Sequence, residues 1–203
     1  MRRTCALSLC LATLSARAAA EEGPRSEIDF LQYGAAFVAE TRVARGKVCP
    51  SGAEEPCILG SGGGVILRAA HREHHGYSLG GAYEFSKQDA SNIINLPILQ
   101  QLRFEGRLYL TRDTRTAPFV FAGGGLVGYG NEWGIETFGG VLTAGVGVVH
   151  ECNREVFCGA SFGYRGIVLD GFRDKAGQQR PSGVSHFLAF ELLLEVRTAY
   201  GRW

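Results

Sequence analysis

The sequence predicts an all-β chain, an eight-stranded antiparallel up-and-down β-barrel. Three observations carry that expectation. Apolar and polar residues alternate with period two in eight separate segments, and no stretch of helical period stands out after residue 27. Glycine supplies 29 of the 203 residues, well above ordinary usage, as strongly curved and crowded strands require. The connections alternate between tight turns and longer loops.

The first segment alternates Tyr33, Ala35, Phe37, Ala39, Thr41 and Val43 with Gln32, Gly34, Ala36, Val38, Glu40 and Arg42. Successive side chains of a strand point to opposite faces, so these are two faces of one strand. In the second, Val65, Leu67 and Ala69 oppose Gly64, Ile66 and Arg68. In the third, Tyr77, Leu79, Gly81, Tyr83 and Phe85 oppose Ser78, Gly80, Ala82, Glu84 and Ser86. In the fourth, Leu102, Phe104, Leu108 and Leu110 oppose Gln101, Arg103, Glu105, Arg107 and Tyr109.

The fifth segment sets Phe119, Phe121, Val127 and Tyr129 mainly against alanine and glycine. The sixth sets Phe138, Leu142, Ala144, Val146 and Val148 against Thr143, Gly145 and Gly147. The seventh sets Ala160, Phe162 and Tyr164 against Ser161, Gly163 and Arg165. The eighth, "SHFLAFELLLEVRTAYGRW", sets Leu188, Phe190, Leu192, Leu194 and Val196 against Glu191, Leu193, Glu195 and Arg197. Short turns ("REHH", "RDTRT", "NREV") follow the even segments, and two long loops, 46–57 and 170–183, follow the first and seventh. Even strand number with tight turns at one end and longer loops at the other is the layout of a membrane-spanning barrel.

The first twenty residues are separate. Met1-Arg2-Arg3 is basic, Cys5 to Ala16 is a short apolar run, and "ARAAA" offers small residues for a cut after Ala20. This reads as a secretory signal peptide over 1–20, too short for a membrane anchor, with residues 21–203 forming one barrel domain. A lipid attachment at Cys10 is the weaker reading, because Leu9 is large for the position before it. Losing Arg2, Arg3 and Arg17 takes the net charge from +1 to −2, which gives no electrostatic case for nucleic acid.

The charged phases hold Glu40, Arg42, Arg68, Glu84, Arg103, Glu105, Arg107, Arg165, Glu191, Glu195 and Arg197. Two closures are open. A soluble carrier points its aliphatic rows inward and its charges at water. A membrane barrel points Phe37, Leu67, Phe104, Leu108, Phe121, Val146, Phe162, Phe190, Leu192 and Leu194 at lipid, and pairs its charges in a narrow lumen. The second is favoured. The aliphatic phases are nearly free of charge over about 9–11 residues per strand, the length of a hydrocarbon crossing. Only three of the 21 basic residues are lysines, and Lys47, Lys87 and Lys175 all read as loop residues. Tyr33, Tyr77, Tyr129, Tyr164 and Tyr200 sit toward strand ends as an aromatic girdle would.

With signal, strand count, loop asymmetry and a C-terminal aromatic in place, the chain resembles the small eight-stranded outer-membrane barrels of the OmpA/OmpX type. The resemblance is architectural, and Trp203 departs from it by lying out of phase with Leu188 to Tyr200. It implies outer-membrane residence, contact with membrane lipid and lipopolysaccharide, and recognition by the barrel-assembly machinery.

Of the six cysteines, Cys5 and Cys10 leave with the signal. Cys49 and Cys57 lie in the first long loop, and Cys152 and Cys158 flank a turn at the opposite end. The two ends of a barrel are about 25 Å apart, far beyond the roughly 7 Å Cα limit of a disulfide. Cys49–Cys57 and Cys152–Cys158 are therefore the predicted bridges.

Other motifs are weaker. His71, His74 and His75 read as a solvated turn without acidic or thiol partners at ligand spacing. "GGGLVG" (Gly123 to Gly128) lacks the following helix that a phosphate loop needs, and "GSGGG" lacks the last glycine. Ser185 and His186 are adjacent, as are His150 and Glu151, so in a strand each pair points to opposite faces; Ser161 has no histidine in its phase. No catalytic residue, metal or cofactor is predicted. The expected role is structural or surface-interacting, with a lumen filled by side chains and loops 46–57 and 170–183 as binding surfaces. A lipid A or phospholipid-modifying enzyme and a soluble lipid-binding barrel are the alternatives.

Overall fold

The computed structural model describes residues 29–44, 59–90, 96–111, 114–131, 133–173, 177 and 179–199. Signal segment 1–20, loop 46–57 with Cys49 and Cys57, Lys47, Lys175, Tyr200 and Trp203 lie outside them.

The chain forms β1 (Phe30–Ala44), β2 (Gly62–Arg72), β3 (Tyr77–Gln88), β4 (Pro97–Tyr109), β5 (Thr116–Asn131), β6 (Thr137–Glu151), β7 (Val156–Leu169), β8 (Phe172–Arg173), β9 (Gln179–Arg180) and β10 (Gly183–Ala199). Eight strands close into one barrel in the order β1-β10-β7-β6-β5-β4-β3-β2. Every barrel pairing is antiparallel; β7 pairs with β10 beyond the short β8 and β9, and β1 pairs with β10 to close the barrel. Closure leaves no barrel strand with a free edge. Phe37 shows the registration: it stands opposite Leu192 on one side and Val65 on the other.

The turns at one end are short. Gly76 closes the β2–β3 turn at φ 89°, a left-handed conformation that glycine adopts without a Cβ clash. Its N–H donates to the Glu73 carbonyl at 3.1 Å. Cys152 and Cys158 are disulfide-bonded across the β6–β7 turn, with Cα atoms 6.0 Å apart. Loop 170–183 is not wholly irregular: β8 and β9 pair as a small hairpin, and Phe172 packs inward over the barrel's loop end.

The two faces of the wall differ sharply. Phe37 and Leu142 are each 72% exposed on the outside. Leu67, Phe104, Leu108, Val146, Phe162, Phe190, Leu192 and Leu194 also stand outward. On β10 the outward apolar row runs from Leu188 to Val196, bounded by His186 and Thr198. Nine residues at about 3.4 Å rise and about 40° tilt span roughly 23 Å, close to the height of a barrel's apolar band.

β5 corrects the sequence reading. Phe121 is only 8% exposed and points into the barrel, as do Phe119, Val127 and Tyr129. Val120, Ala122 and Leu126 take the outer face. Neither phase of β5 carries a charge, so alternation alone could not mark its wet side. Neighbouring strands decide it by leaving room. A Cβ on Gly147 would lie 2.4 Å from the Phe119 ring, and one on Gly145 would lie 2.7 Å from the Phe121 ring. Tyr129 accordingly leaves the aromatic girdle, while Tyr33, Tyr77 and Tyr164 remain exposed. Lys87 is also no loop residue; it stands outward near the end of β3.

Candidate functional site

The barrel interior is layered. At the loop end, Leu59, Leu99, Val127, Tyr129, Ile167, Leu169, Phe172 and Phe187 form an apolar cluster. Toward the turn end, Tyr109, Phe119, Phe121 and Val149 belong to a second one. Charged residues are threaded along the same interior.

Six charged side chains form a closed ring of alternating sign. Arg165 Nη1 donates to Glu84 Oε1 at 2.7 Å, and Arg103 Nη1 donates to Glu84 Oε2 at 2.7 Å. Arg103 Nε reaches Glu105 at 3.0 Å, and Arg68 Nε reaches the other Glu105 oxygen at 3.0 Å. Arg68 Nη2 reaches Glu191 at 2.7 Å, and Arg165 Nη2 returns to Glu191 at 2.6 Å. The ring joins β2, β3, β4, β7 and β10. Glu40 on β1 attaches to it through Arg165 Nη1 at 2.6 Å and accepts from Gln88 Nε2 at 2.7 Å. Arg103 is 2% exposed and Arg165 is 1% exposed. Buried charges are tolerated only when each is paired and hydrogen-bonded, and the ring does this for both signs.

A second group lies nearer the turn end. Arg107 Nη1 pairs with Glu195 Oε1, and Gln32 Nε2 with Glu195 Oε2. Arg197 stacks on Phe157, its guanidinium carbon 3.5 Å from the ring centre, and Arg72 lies 3.9 Å over Tyr109. Between the two groups is a cavity of about 20 Å³ lined by Arg68, Glu105, Arg107, Glu195, Gln32 and Ser78, room for about one water molecule. Arg42 shares the inward phase but stands outside the ring, donating from Nη1 to the Leu59 carbonyl at 3.0 Å.

Glycine lets β5 lie close against β4 beside Arg103. A Cβ on Gly125 would meet the Leu102 carbonyl oxygen at 1.9 Å and the Arg103 Cα at 2.7 Å. The β5–β6 wall contributes no charge to the ring; beside it the inward rows carry aromatic, valine, threonine, alanine and glycine residues. Sequence phase alone located the charged residues. It did not single out Gln32, Gln88, Arg72 or Phe157, whose roles depend on which strands face one another across the lumen.

The candidate catalytic groups do not converge. Ser161 donates to Glu191 at 2.9 Å and serves the ring. Ser185 is buried inside, whereas His186 lies on the outer face bonded to Tyr164. His150 pairs with Thr116 Oγ1 at 2.8 Å near the turns. His74 donates from its backbone N–H to Asp29 Oδ1 at 3.0 Å, and its ring stands 3.1 Å from the same oxygen. These bonds hold the half-buried Asp29 carboxyl below the usual carboxylate range, the side-chain bond contributing most. Among the described residues, no three histidine, cysteine or acidic side chains are grouped to hold a metal. Gly123 to Gly128 lie within β5, with no helix after them.

No protein-family model and no curated protein matches this sequence. Solved structures do. The neisserial surface protein A superposes with a TM-score of 0.58 at 14% identity, covering 84% of this chain and 97% of that one. The outer membrane protein OprG from Pseudomonas aeruginosa superposes with a TM-score of 0.53 at 9% identity, covering 86% and 97%. The chain therefore has the closed eight-stranded antiparallel barrel fold that these two proteins also have.

Proposed function

We propose that this chain is an exported, integral outer-membrane β-barrel with a non-catalytic structural or surface-interaction role and a filled, non-conducting lumen. One observation carries the reading: the side chains are sorted inside out. Large apolar residues ring the exterior, and acid–base pairs fill the interior. Fully exposing a leucine or phenylalanine side chain to water forgoes about 1.5–3 kcal/mol each, and a continuous apolar surface of this kind marks a partner or a membrane. A hydrocarbon layer about 25 Å thick covers such a belt completely. The two similar solved structures, a surface protein and an outer membrane protein, support the same residence.

Residues 1–20 serve as the export signal, and insertion goes through the barrel-assembly machinery. Membrane lipid and lipopolysaccharide surround the belt. Loops 46–57 and 170–183 are the binding surfaces. The paired ring and the apolar cluster beneath Phe172 support a closed lumen.

Gel mobility and planar-bilayer conductance test the two halves of this reading. Boiled and unboiled protein should migrate differently, and the reconstituted barrel should give no current steps. Identical migration refutes the membrane barrel. Stable conductance steps refute the filled lumen. Unaltered lipid A mass spectra with and without the protein are expected of a non-catalytic barrel.

A further inference from the structure

The β5–β6 loop folds back onto the outer wall of the barrel. Gly128 and Gly130 share the outward phase of Val120 and Leu126, yet both are buried. A Cβ on Gly128 would stand 3.0 Å from the Ile135 side chain, and one on Gly130 would stand 2.0 Å from the Gly134 carbonyl oxygen. Ile98, opposite Gly130 and in the outward phase of Leu102 and Phe104, is only 2% exposed. The loop reaches as far as β3, where the Trp133 ring centre lies 5.1 Å from that of Phe85. Trp133 itself is 75% exposed.

Phe85 belongs to the outward row of β3 that starts at Tyr77 and ends at Lys87. Among the described residues, Lys87 is the only lysine, arginine, aspartate or glutamate on the outer face of the eight barrel strands. Phe85 lies about 5 Å inside Lys87 along the barrel axis at ordinary rise and tilt. One step deeper, Tyr83 Oη donates to Gln100 Oε1 at 2.9 Å on the same face. The charges nearest along the chain are Lys87, two residues after Phe85, and Glu136, three after Trp133. Trp133 therefore rests where the uncharged belt gives way to charge.

We propose that the β5–β6 loop is itself a lipid-binding element, lying in the interfacial layer of the leaflet on the loop side. Trp133 sits between acyl chains there, and its indole N–H donates to lipid ester or headgroup oxygens. The proposal rests on the membrane reading above and extends it from the barrel wall to a loop. The occupant is lipid because the exposed ring continues the apolar belt through Phe85. A large apolar ring with one N–H suits a layer that is hydrocarbon on one side and rich in oxygen acceptors on the other. A cation such as Lys87 is tolerated at that edge of the belt and not at its middle.

Fluorescence quenching tests this directly, because the chain has only two tryptophans, Trp133 and Trp203. The full chain carrying Trp203→Phe is refolded into phosphatidylcholine vesicles whose acyl chains bear bromine either near the ester or near the chain end. Bromine near the ester should quench Trp133 about two-fold more than bromine near the chain end, and aqueous iodide should quench it weakly. As a depth reference, the variant Trp133→Phe, Trp203→Phe, Phe104→Trp places the ring near the middle of the belt, opposite Gly81. It should reverse the order of the two brominated lipids. Strong iodide quenching of Trp133 without bromine quenching puts the loop in water and overturns the proposal. Stronger quenching from the chain end puts the ring too deep and overturns it as well. Shielding from both quenchers places a second copy of the chain over Trp133, with the same consequence. In each of these cases bromine quenching of the Phe104→Trp reference leaves the membrane reading standing, whereas its absence there refutes that reading itself.

Discussion

Replacing Arg165 by methionine should be the most damaging single change in the lumen. Arg165 bonds three carboxylates, Glu40, Glu84 and Glu191, at 2.6 to 2.7 Å. Glu84 would keep Arg103, and Glu191 would keep Arg68. Glu40 would keep only Gln88 and Ser86. The substitution thus leaves one buried carboxylate without a cation, and it removes one positive charge from a network of three arginines and four glutamates. Breaking a buried pair in this way costs about 3–5 kcal/mol, most of it the stranded charge and not the lost attraction. The double variant Arg165→Met, Glu40→Gln removes the stranded charge at little change in volume. It should recover a substantial part of the loss, at least about 1 kcal/mol on the scale of coupled buried neighbours. Denaturant unfolding of the barrel in vesicles, followed by heat-modifiable gel mobility, measures all three proteins. Wild-type stability in Arg165→Met, or a double variant no better than the single, would refute the view that the ring is held by mutual neutralisation.

Three further outcomes follow from the same geometry. Leu192→Arg should cost about 2–4 kcal/mol, because Leu192 stands outward near the middle of its row; near-normal assembly of that variant would contradict lipid contact there. Phe121→Ala should cost about 3–5 kcal/mol by opening a cavity against Gly145 and Gly163, measured by the same unfolding; a neutral effect would return Phe121 to the outer face. Cys152→Ser should cost about 2 kcal/mol, the loop-closure value for a separation of 6 residues, and added reductant should bring the wild type to the same midpoint.

How much was legible in the sequence depended on charge. In β4 the run Arg103, Glu105, Arg107 labels one face without ambiguity, and Phe104 and Leu108 fall on the other. In β10, Glu191 and Glu195 do the same for Phe190, Leu192 and Leu194. In β5 the stretch from Thr116 to Asn131 holds no charge, and size was the only guide. Size misled, because the lumen beside β5 is lined by glycine and accepts aromatic rings there. The Cys152–Cys158 bridge was readable because a short turn brings its ends together. The pairing of Arg165 with Glu40 was not, because the two residues lie 125 positions apart.

The sequence by itself determined the strand count, the all-antiparallel order and the face of every strand that carries an ion, because alternation and the cost of an unpaired charge act strand by strand. Only the tertiary structure decided which arginine meets which glutamate, that the charges close into a ring, and that β5 turns its aromatic side inward. Those outcomes depend on closure, which sets strands opposite one another across the lumen and matches bulky side chains to the glycines that make room for them.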